Sequence, residues 1–285
     1  MNKENSINPS VIGKHLYKIP VYSVLVVFAV IALYPIYHVL ITSLKSSVEY
    51  VDNKLFWPDS VTLDNYKYVL FQGSMMKYFL NNCIIMPLAM AGYLFVCITA
   101  GFAFGRLRFP YRLQIFLAVL FLMIFPQMLL SVQIFQICRH LHLINNYFGL
   151  ILVWIAYFSP FGTYIMATYY STVPYELIES AKMDGATIWQ TLWYIMVPIA
   201  KPMFGIVFII GFQSMWNELI FSLLLLQKNA MRTITQGIGM LQGQYGLDDT
   251  RLTAAIMIAS LVPLILFLFF QKFIAMGSYS GATKG

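Results

Sequence analysis

The sequence predicts an all-α, polytopic membrane protein with six transmembrane helices, and three observations support this fold class. Of its 285 residues, 60% are hydrophobic and only 10% are charged, whereas in soluble domains about a quarter of the residues are charged. The few charges leave apolar windows long enough for a helix to cross a ~30 Å hydrocarbon core. These windows are 19–44, 78–105, 113–138, 140–175, 202–227 and 252–271, of which only 202–227 contains a charged residue, Glu218.

The third observation is the placement of Lys and Arg near the helix ends, because cytoplasmic loops carry an excess of these residues. They lie in the N-terminal arm, after the second span, after the fourth span and in the tail, as Lys3, Lys14, Lys18, Arg106, Arg108, Arg112, Lys182, Lys201, Lys272 and Lys284. These four regions share one side of the predicted topology, so we expect both termini in the cytoplasm. Scattered basic residues also argue against nucleic-acid binding, which uses clustered ones.

The elements follow from these windows in order. Residues 1–18 form a polar arm, and window 19–44 is too long for the apolar part of a signal peptide, so it is predicted to stay as the first helix. Loop 45–79 is rich in Trp and Tyr, which favour the membrane interface. The remaining spans are predicted at about 82–104, 113–135, 147–170, 202–226 and 253–275, with an outer loop at 227–251. Three cysteines fall within the apolar windows, where packing is their expected role, and they are Cys83, Cys97 and Cys138.

A charged segment at 176–198 interrupts this apolar pattern on the cytoplasmic side. Glu176 and Glu179 fall in the first turns of a helix, where negative charge complements the helix dipole. Gly185 is typical of the left-handed residue that ends a helix. Thr187 followed by Gln190 three residues later is a capping box, which starts a second helix. The sequence therefore predicts two short helices that meet at Gly185.

This segment has two interpretations: it lies on the bilayer surface, or it is bound by a protein. Surface helices prefer a polar face rich in Lys and Arg, which attracts anionic lipid. This segment carries Glu176, Glu179 and Asp184 against Lys182 alone. The sign of the charge favours a protein partner.

Polar residues at membrane depth are costly and usually face the bundle interior or a water-filled path. In the fifth span these residues are Gln213, Asn217 and Glu218, and we expect them to line a translocation pathway. The alternative is interhelical hydrogen bonding that holds the bundle together. Three glutamines of the third span are weaker candidates for the same roles, namely Gln127, Gln133 and Gln136.

The segment also carries a motif of fixed spacing. Glu179-Ser-Ala181, then Gly185, then Ile195-Met-Val-Pro198 resembles the EAA signature of permease subunits in binding-protein-dependent ABC importers. Ser180 and Val197 are mild departures from that signature. The resemblance covers nearly the whole chain and points to the smaller permease subunit of maltose-type sugar importers. Similar landmarks are Asn65-Tyr66, Ala103 to Pro110, Trp216-Asn-Glu218 and the ending Gly281 to Gly285.

The resemblance implies the type I ABC importer transmembrane fold and a function. The segment 174–198 becomes the coupling helix between spans four and five, seated in a cytoplasmic ATPase subunit through Glu176, Glu179, Ala181, Asp184 and Gly185. The implied partners are a second homologous permease subunit, two ATPase subunits, an extracytoplasmic sugar-binding protein that approaches loop 227–251, and a carbohydrate, with no cofactor. Residues 1–75 form the arm, first helix and outer loop, residues 76–272 the transmembrane core, and residues 273–285 a cytoplasmic tail.

Three rival classes fit the sequence less well. A membrane enzyme needs a metal cluster or an activated nucleophile, and the four histidines have no carboxylates at metal-ligand spacing. The sequence has no Gly-x-x-x-x-Gly-Lys-[Ser/Thr] loop, so ATP hydrolysis is expected from a partner. A secondary transporter is expected to show repeated halves, and a channel subunit has no need for an acidic cytoplasmic segment.

Overall fold

The computed structural model of the chain describes residues 18–244 and 248–282, and all regular structure in these two ranges is helical. The predicted arm, apart from Lys18, and the last three residues of the predicted tail lie outside them. The helices are α1 (Lys18–Ser43), α2 (Ser47–Asp52), α3 (Asp64–Lys67), α4 (Met75–Arg106), α5 (Arg112–Phe121), α6 (Gln127–His140), α7 (Tyr147–Thr172), α8 (Glu176–Met183), α9 (Ile188–Ile199), α10 (Lys201–Trp216), α11 (Ile220–Leu225), α12 (Ile234–Gln244) and α13 (Asp249–Ala282).

Four of these helices are long and apolar enough to cross a membrane without a break. They contain the stretches Pro20–Ser43, Met75–Arg106, Tyr147–Thr172 and Asp249–Gln271. Two further pairs of helices pass the same test only as bent units, so the described residues supply four to six spans. Helix α13 continues to Ala282, so the structure has no boundary at the predicted start of the tail.

The third predicted span, 113–135, is bent and is not one straight helix. Helix α5 passes through a short 3₁₀ turn to Ile124, and α6 starts at Gln127 at an angle of 104° to it. The break lies at Phe125, whose backbone is extended (φ −77°, ψ 121°). The physical reason is Pro126, because a proline disfavours the helical conformation of the residue before it.

The fifth predicted span, 202–226, is also interrupted. Helix α10 ends at Trp216 and α11 starts at Ile220, so residues 217–219 form a short break. Helix α9 meets α10 at an angle of 83°. Glu218 lies within the break at 217–219, and its side chain is buried in the protein interior.

Helices α4 and α7 pack closely against each other in the core. Gly101 and Gly105 of α4 lie against the backbone and side chains of Met166 and Ala167, since a Cβ atom at Gly101 would stand 2.4 Å from the Met166 Cβ. Tyr93 is buried between Gly162 of α7 and Gly211 of α10 by the same close approach. Glycine at these positions therefore sets the spacing of the three helices.

This packing predicts a large effect of Gly101→Leu. The added side chain collides with α7, and overpacking of a tight core typically costs about 1–3 kcal/mol or more. We expect a lower melting temperature of the detergent-purified protein and less protein in the membrane. The control is Gly239→Leu in α12, where a Cβ meets no atom within 4 Å. Equal stability of both variants would contradict the packing argument.

At the opposite end of the bundle, a polar cluster ties the first helix to the last. Lys45 is fully buried, and its Nζ donates to the carbonyl oxygens of Asn53 and Phe56 at 2.6 Å each. The Asn65 amide donates to the carbonyl of Lys45 at 2.7 Å and its Oδ1 accepts from the Thr250 hydroxyl at 3.3 Å. Helix α1 itself packs along α13. The cluster fixes loop 45–72 against the start of α13.

Candidate functional site

The segment 176–198 forms the predicted helical hairpin. Helix α8 ends at Met183, and Gly185 adopts the left-handed conformation with φ +80°. The predicted capping box is confirmed, because the Thr187 hydroxyl accepts from the Gln190 N–H at 3.3 Å and the Gln190 side chain accepts from the Thr187 N–H at 2.8 Å. Local sequence signals thus define the turn between α8 and α9.

The motif residues divide between the two faces of this hairpin. Ala181 is buried, whereas Glu176, Glu179, Asp184 and Gly185 are exposed. Within the described residues no cation forms an ion pair with these three carboxylates. The structure therefore brings the acidic residues onto a short exposed surface and uses Ala181 for internal packing.

The hairpin also exposes apolar residues that the sequence analysis did not identify as a surface. Met183 is 86% exposed, Ile188 60% and Trp189 57%; these three residues are called the turn patch. Leu192 and Met196, which follow in the π-helical turn Thr191–Met196, are buried instead. Contiguous exposed apolar residues indicate an interaction surface.

The hairpin is attached to the membrane helices at its base. Arg106, the last residue of α4, donates from Nε to the Tyr170 carbonyl at 2.6 Å and from Nη2 to the Ser171 carbonyl at 2.8 Å. The Arg108 guanidinium lies 4.9 Å from the centre of the Tyr175 ring. At the other end, the Tyr169 hydroxyl donates to the Ile199 carbonyl at 3.0 Å. These contacts tie the two ends of the hairpin to α4 and α7.

The three polar residues of the fifth predicted span do not form one surface. Gln213 and Asn217 are exposed, and the Asn217 amide donates to the Gln213 carbonyl at 3.0 Å. Their spacing of four residues places both on one side of the end of α10. Glu218 points the other way and is only 5% exposed.

The Glu218 carboxylate accepts four hydrogen bonds. Its Oε1 accepts from the Gln127 amide and from the Phe221 N–H, both at 2.6 Å. Its Oε2 accepts from the Trp154 indole at 2.9 Å and from the Ser222 N–H at 3.0 Å. The two backbone donors are unpaired groups at the start of α11, and a carboxylate there also complements the helix dipole. Glu218 thus stabilises the break between α10 and α11 and joins it to α6 and α7.

The described part of loop 227–251 forms hydrogen bonds with α4. The Asn81 amide donates to the carbonyls of Ala230 and Arg232 at 3.0 and 2.8 Å, and Asn82 accepts from the Ile234 N–H at 3.2 Å. The loop contains α12, an element that the sequence analysis did not predict. Residues 245–247 of this loop lie outside the described residues.

A family model described as the binding-protein-dependent transport system inner membrane component matches residues 70–276. The chain belongs to this family. The match includes the hairpin 176–198 and the Glu218 site, so both are features of a transport component of the inner membrane. Membership confirms the resemblance inferred from the EAA motif.

Individual relatives extend the match to nearly the whole chain. The arabinooligosaccharides transport system permease protein AraQ of Bacillus subtilis is 31% identical over 274 residues, which is 95% of this chain and 97% of that protein. The trehalose transport system permease protein SugB of Mycobacterium tuberculosis is 34% identical over 257 residues, 89% of this chain and 93% of that protein.

A solved structure has the same all-helical fold. A chain from a bacterial ABC transporter involved in the import of the acidic polysaccharide alginate superposes with a TM-score of 0.77. The alignment covers 91% of this chain and 97% of that chain at 22% sequence identity. The all-helical fold of this inner membrane component is therefore that of an ABC transporter membrane subunit.

Proposed function

We propose that this inner membrane component is the permease subunit of an ATP-driven carbohydrate importer. The observation that carries the proposal is the exposed, acidic hairpin 176–198, which is anchored to α4 and α7 in a chain of this family. The names of the relatives, which describe arabinooligosaccharide and trehalose transport, support an oligosaccharide cargo. A second permease subunit, two ATPase subunits and an extracytoplasmic binding protein complete the proposed complex.

The proposed topology has six spans, in which the bent pair α5 and α6 forms the third, and α10, followed by α11 after the break at 217–219, forms the fifth. Both termini and the hairpin lie in the cytoplasm, in agreement with the basic residues that flank them. Residues 76–272 form the transmembrane core, with 1–75 before it and 273–285 as the tail. Gln213 and Asn217 line the translocation pathway from the end of α10, while Glu218 acts by holding the helix break in place.

The hairpin is the proposed coupling element. Glu176, Glu179 and Asp184 offer negative charge to basic groups of an ATPase subunit, and the turn patch offers apolar contact around Gly185. ATP binding draws the two ATPase subunits together and moves the hairpin, and the Arg106 and Tyr169 contacts pass this movement to α4 and α7. A ligand can shift such an equilibrium only through different contacts in the two states, and these exposed residues can supply them.

The test is charge reversal in Glu179→Lys. We expect loss of ATP-dependent uptake and of ATPase subunits that co-purify with the tagged chain, while the amount in the membrane stays normal. The matched control is Asp64→Lys in the outer loop, where the side chain is 81% exposed. Normal uptake by Glu179→Lys would contradict the coupling role, and uptake that persists without ATP would favour a secondary transporter or channel.

A further inference from the structure

A hollow of about 230 Å³ lies between the end of α4, the start of α5 and the end of α7. It lies beside the base of the hairpin, because Ser171 in its wall also accepts a hydrogen bond from Arg106. Its lining combines one cation, two hydroxyl side chains and an apolar wall, contributed by Phe104, Arg112, Leu113, Phe116, Thr168 and Ser171. We call it the Arg112 hollow.

Arg112 supplies the charge of this hollow. One of its N–H groups donates to the Leu107 carbonyl at 3.2 Å, which leaves several of the five donors of a guanidinium for a ligand. Among the described residues no carboxylate forms an ion pair with Arg112, and none lines the hollow. The hollow is therefore suited to an anion and not to a cation.

The other walls are suited to hydrocarbon. The rings of Phe104 and Phe116 lie with centroids 5.0 Å apart, and Leu113 is 62% exposed next to them. Tyr111, which precedes α5, is 73% exposed, as expected for an aromatic residue at a membrane interface. A ligand with a phosphate group and an acyl chain matches both parts of this surface.

We propose that the Arg112 hollow binds the headgroup of an anionic phospholipid from the cytoplasmic leaflet. The proposal rests on the proposed orientation, in which the hairpin side of the protein faces the cytoplasm. Basic pockets between helices on this side are suited to anionic headgroups. A zwitterionic headgroup is the poorer ligand, because its ammonium group meets no carboxylate in the lining.

The position of the hollow gives the lipid a physical role. Thr168 and Ser171 belong to the last turns of α7, whose end carries the hairpin. A bound phosphate bridges these turns to Arg112 at the start of α5 and so braces the base of the hairpin. We expect the lipid to stabilise the complex on this side.

The experiment uses the whole purified transporter in nanodiscs of phosphatidylcholine with and without phosphatidylglycerol. Native mass spectrometry counts the retained phosphatidylglycerol, and thermal unfolding reports stabilisation. We expect Arg112→Gln to weaken phosphatidylglycerol binding about fivefold and to lose the lipid-dependent stabilisation. Arg112→Lys keeps the charge and should retain most of the lipid binding and of the stabilisation. Arg139 is an exposed arginine at the C-terminal end of α6, and Arg139→Gln should resemble the unchanged protein.

Each outcome decides the proposal independently of transport. Unchanged phosphatidylglycerol retention in Arg112→Gln overturns it, and so does equal weakening by Arg139→Gln. Stabilisation by inorganic phosphate in phosphatidylcholine nanodiscs that equals the effect of phosphatidylglycerol would identify a free anion as the ligand and also overturn the lipid assignment. Failure of the coupling test with Glu179→Lys leaves these lipid measurements unaffected, so the two proposals fail separately.

Discussion

We expect Gly185→Leu to abolish ATP-driven uptake and Gly185→Ala to reduce it only modestly. Both variants place a side chain at φ +80° and therefore carry the same backbone cost of about 1–2 kcal/mol. Within the chain neither side chain meets an obstacle, because a Cβ at Gly185 has no atom within 4 Å. A larger effect of leucine must therefore come from a partner that fills the space around the turn.

The measurement compares uptake and ATPase co-purification for the two variants at equal membrane amounts. Gly185→Asn serves as a third variant, since asparagine tolerates the left-handed conformation better than other residues with a side chain. It should lie at or above the alanine variant. If leucine, alanine and asparagine behave alike, no partner approaches the turn at Gly185, and the coupling contact has to be sought elsewhere on the hairpin.

We expect Glu218→Gln to lower the amount of assembled protein several-fold, although the substitution leaves the size of the side chain unchanged. Each carboxylate oxygen accepts two hydrogen bonds, from four donors in all. A glutamine has a single oxygen, so its amide group faces two of these donors whichever way it turns. Each donor left without an acceptor costs about 1–3 kcal/mol.

The assay is the melting temperature of the purified complex together with uptake per assembled complex. Asn217→Ala is the neighbouring control, because that side chain is exposed, and we expect little change in its stability. Trp154→Phe removes one of the four donors. We therefore expect it to destabilise the Glu218→Gln variant less than it destabilises the unchanged protein. Normal stability combined with lost uptake would instead support the pathway role that the sequence analysis assigned to Glu218.

The sequence predicted the features that depend on local signals. The turn at Gly185 and the capping box of Thr187 and Gln190 need only their own neighbours, and the apolar windows located the unbroken spans. Pro126 is a local signal for the break, but a proline alone does not identify one. Prolines also lie inside unbroken helices, namely Pro35, Pro87, Pro160 and Pro263.

Other features depend on residues far apart in the chain. The inward direction of Glu218 is set by donors on α6 and α7, and single-sequence patterns do not show which helices become neighbours. Ile188 is exposed although Leu192, one turn later, is buried, and a simple helical periodicity does not distinguish the two. These are the places where tertiary contacts overrule local preference.

The cluster around Lys45 has a consequence for biosynthesis. Ser47 contacts Asp248 across 201 positions of sequence, and α1 finds its main neighbour in α13. As the chain leaves the ribosome, the first helix enters the bilayer long before that neighbour exists. The contact between Thr250 and Asn65 can therefore form only late in synthesis, after the start of α13 has been made.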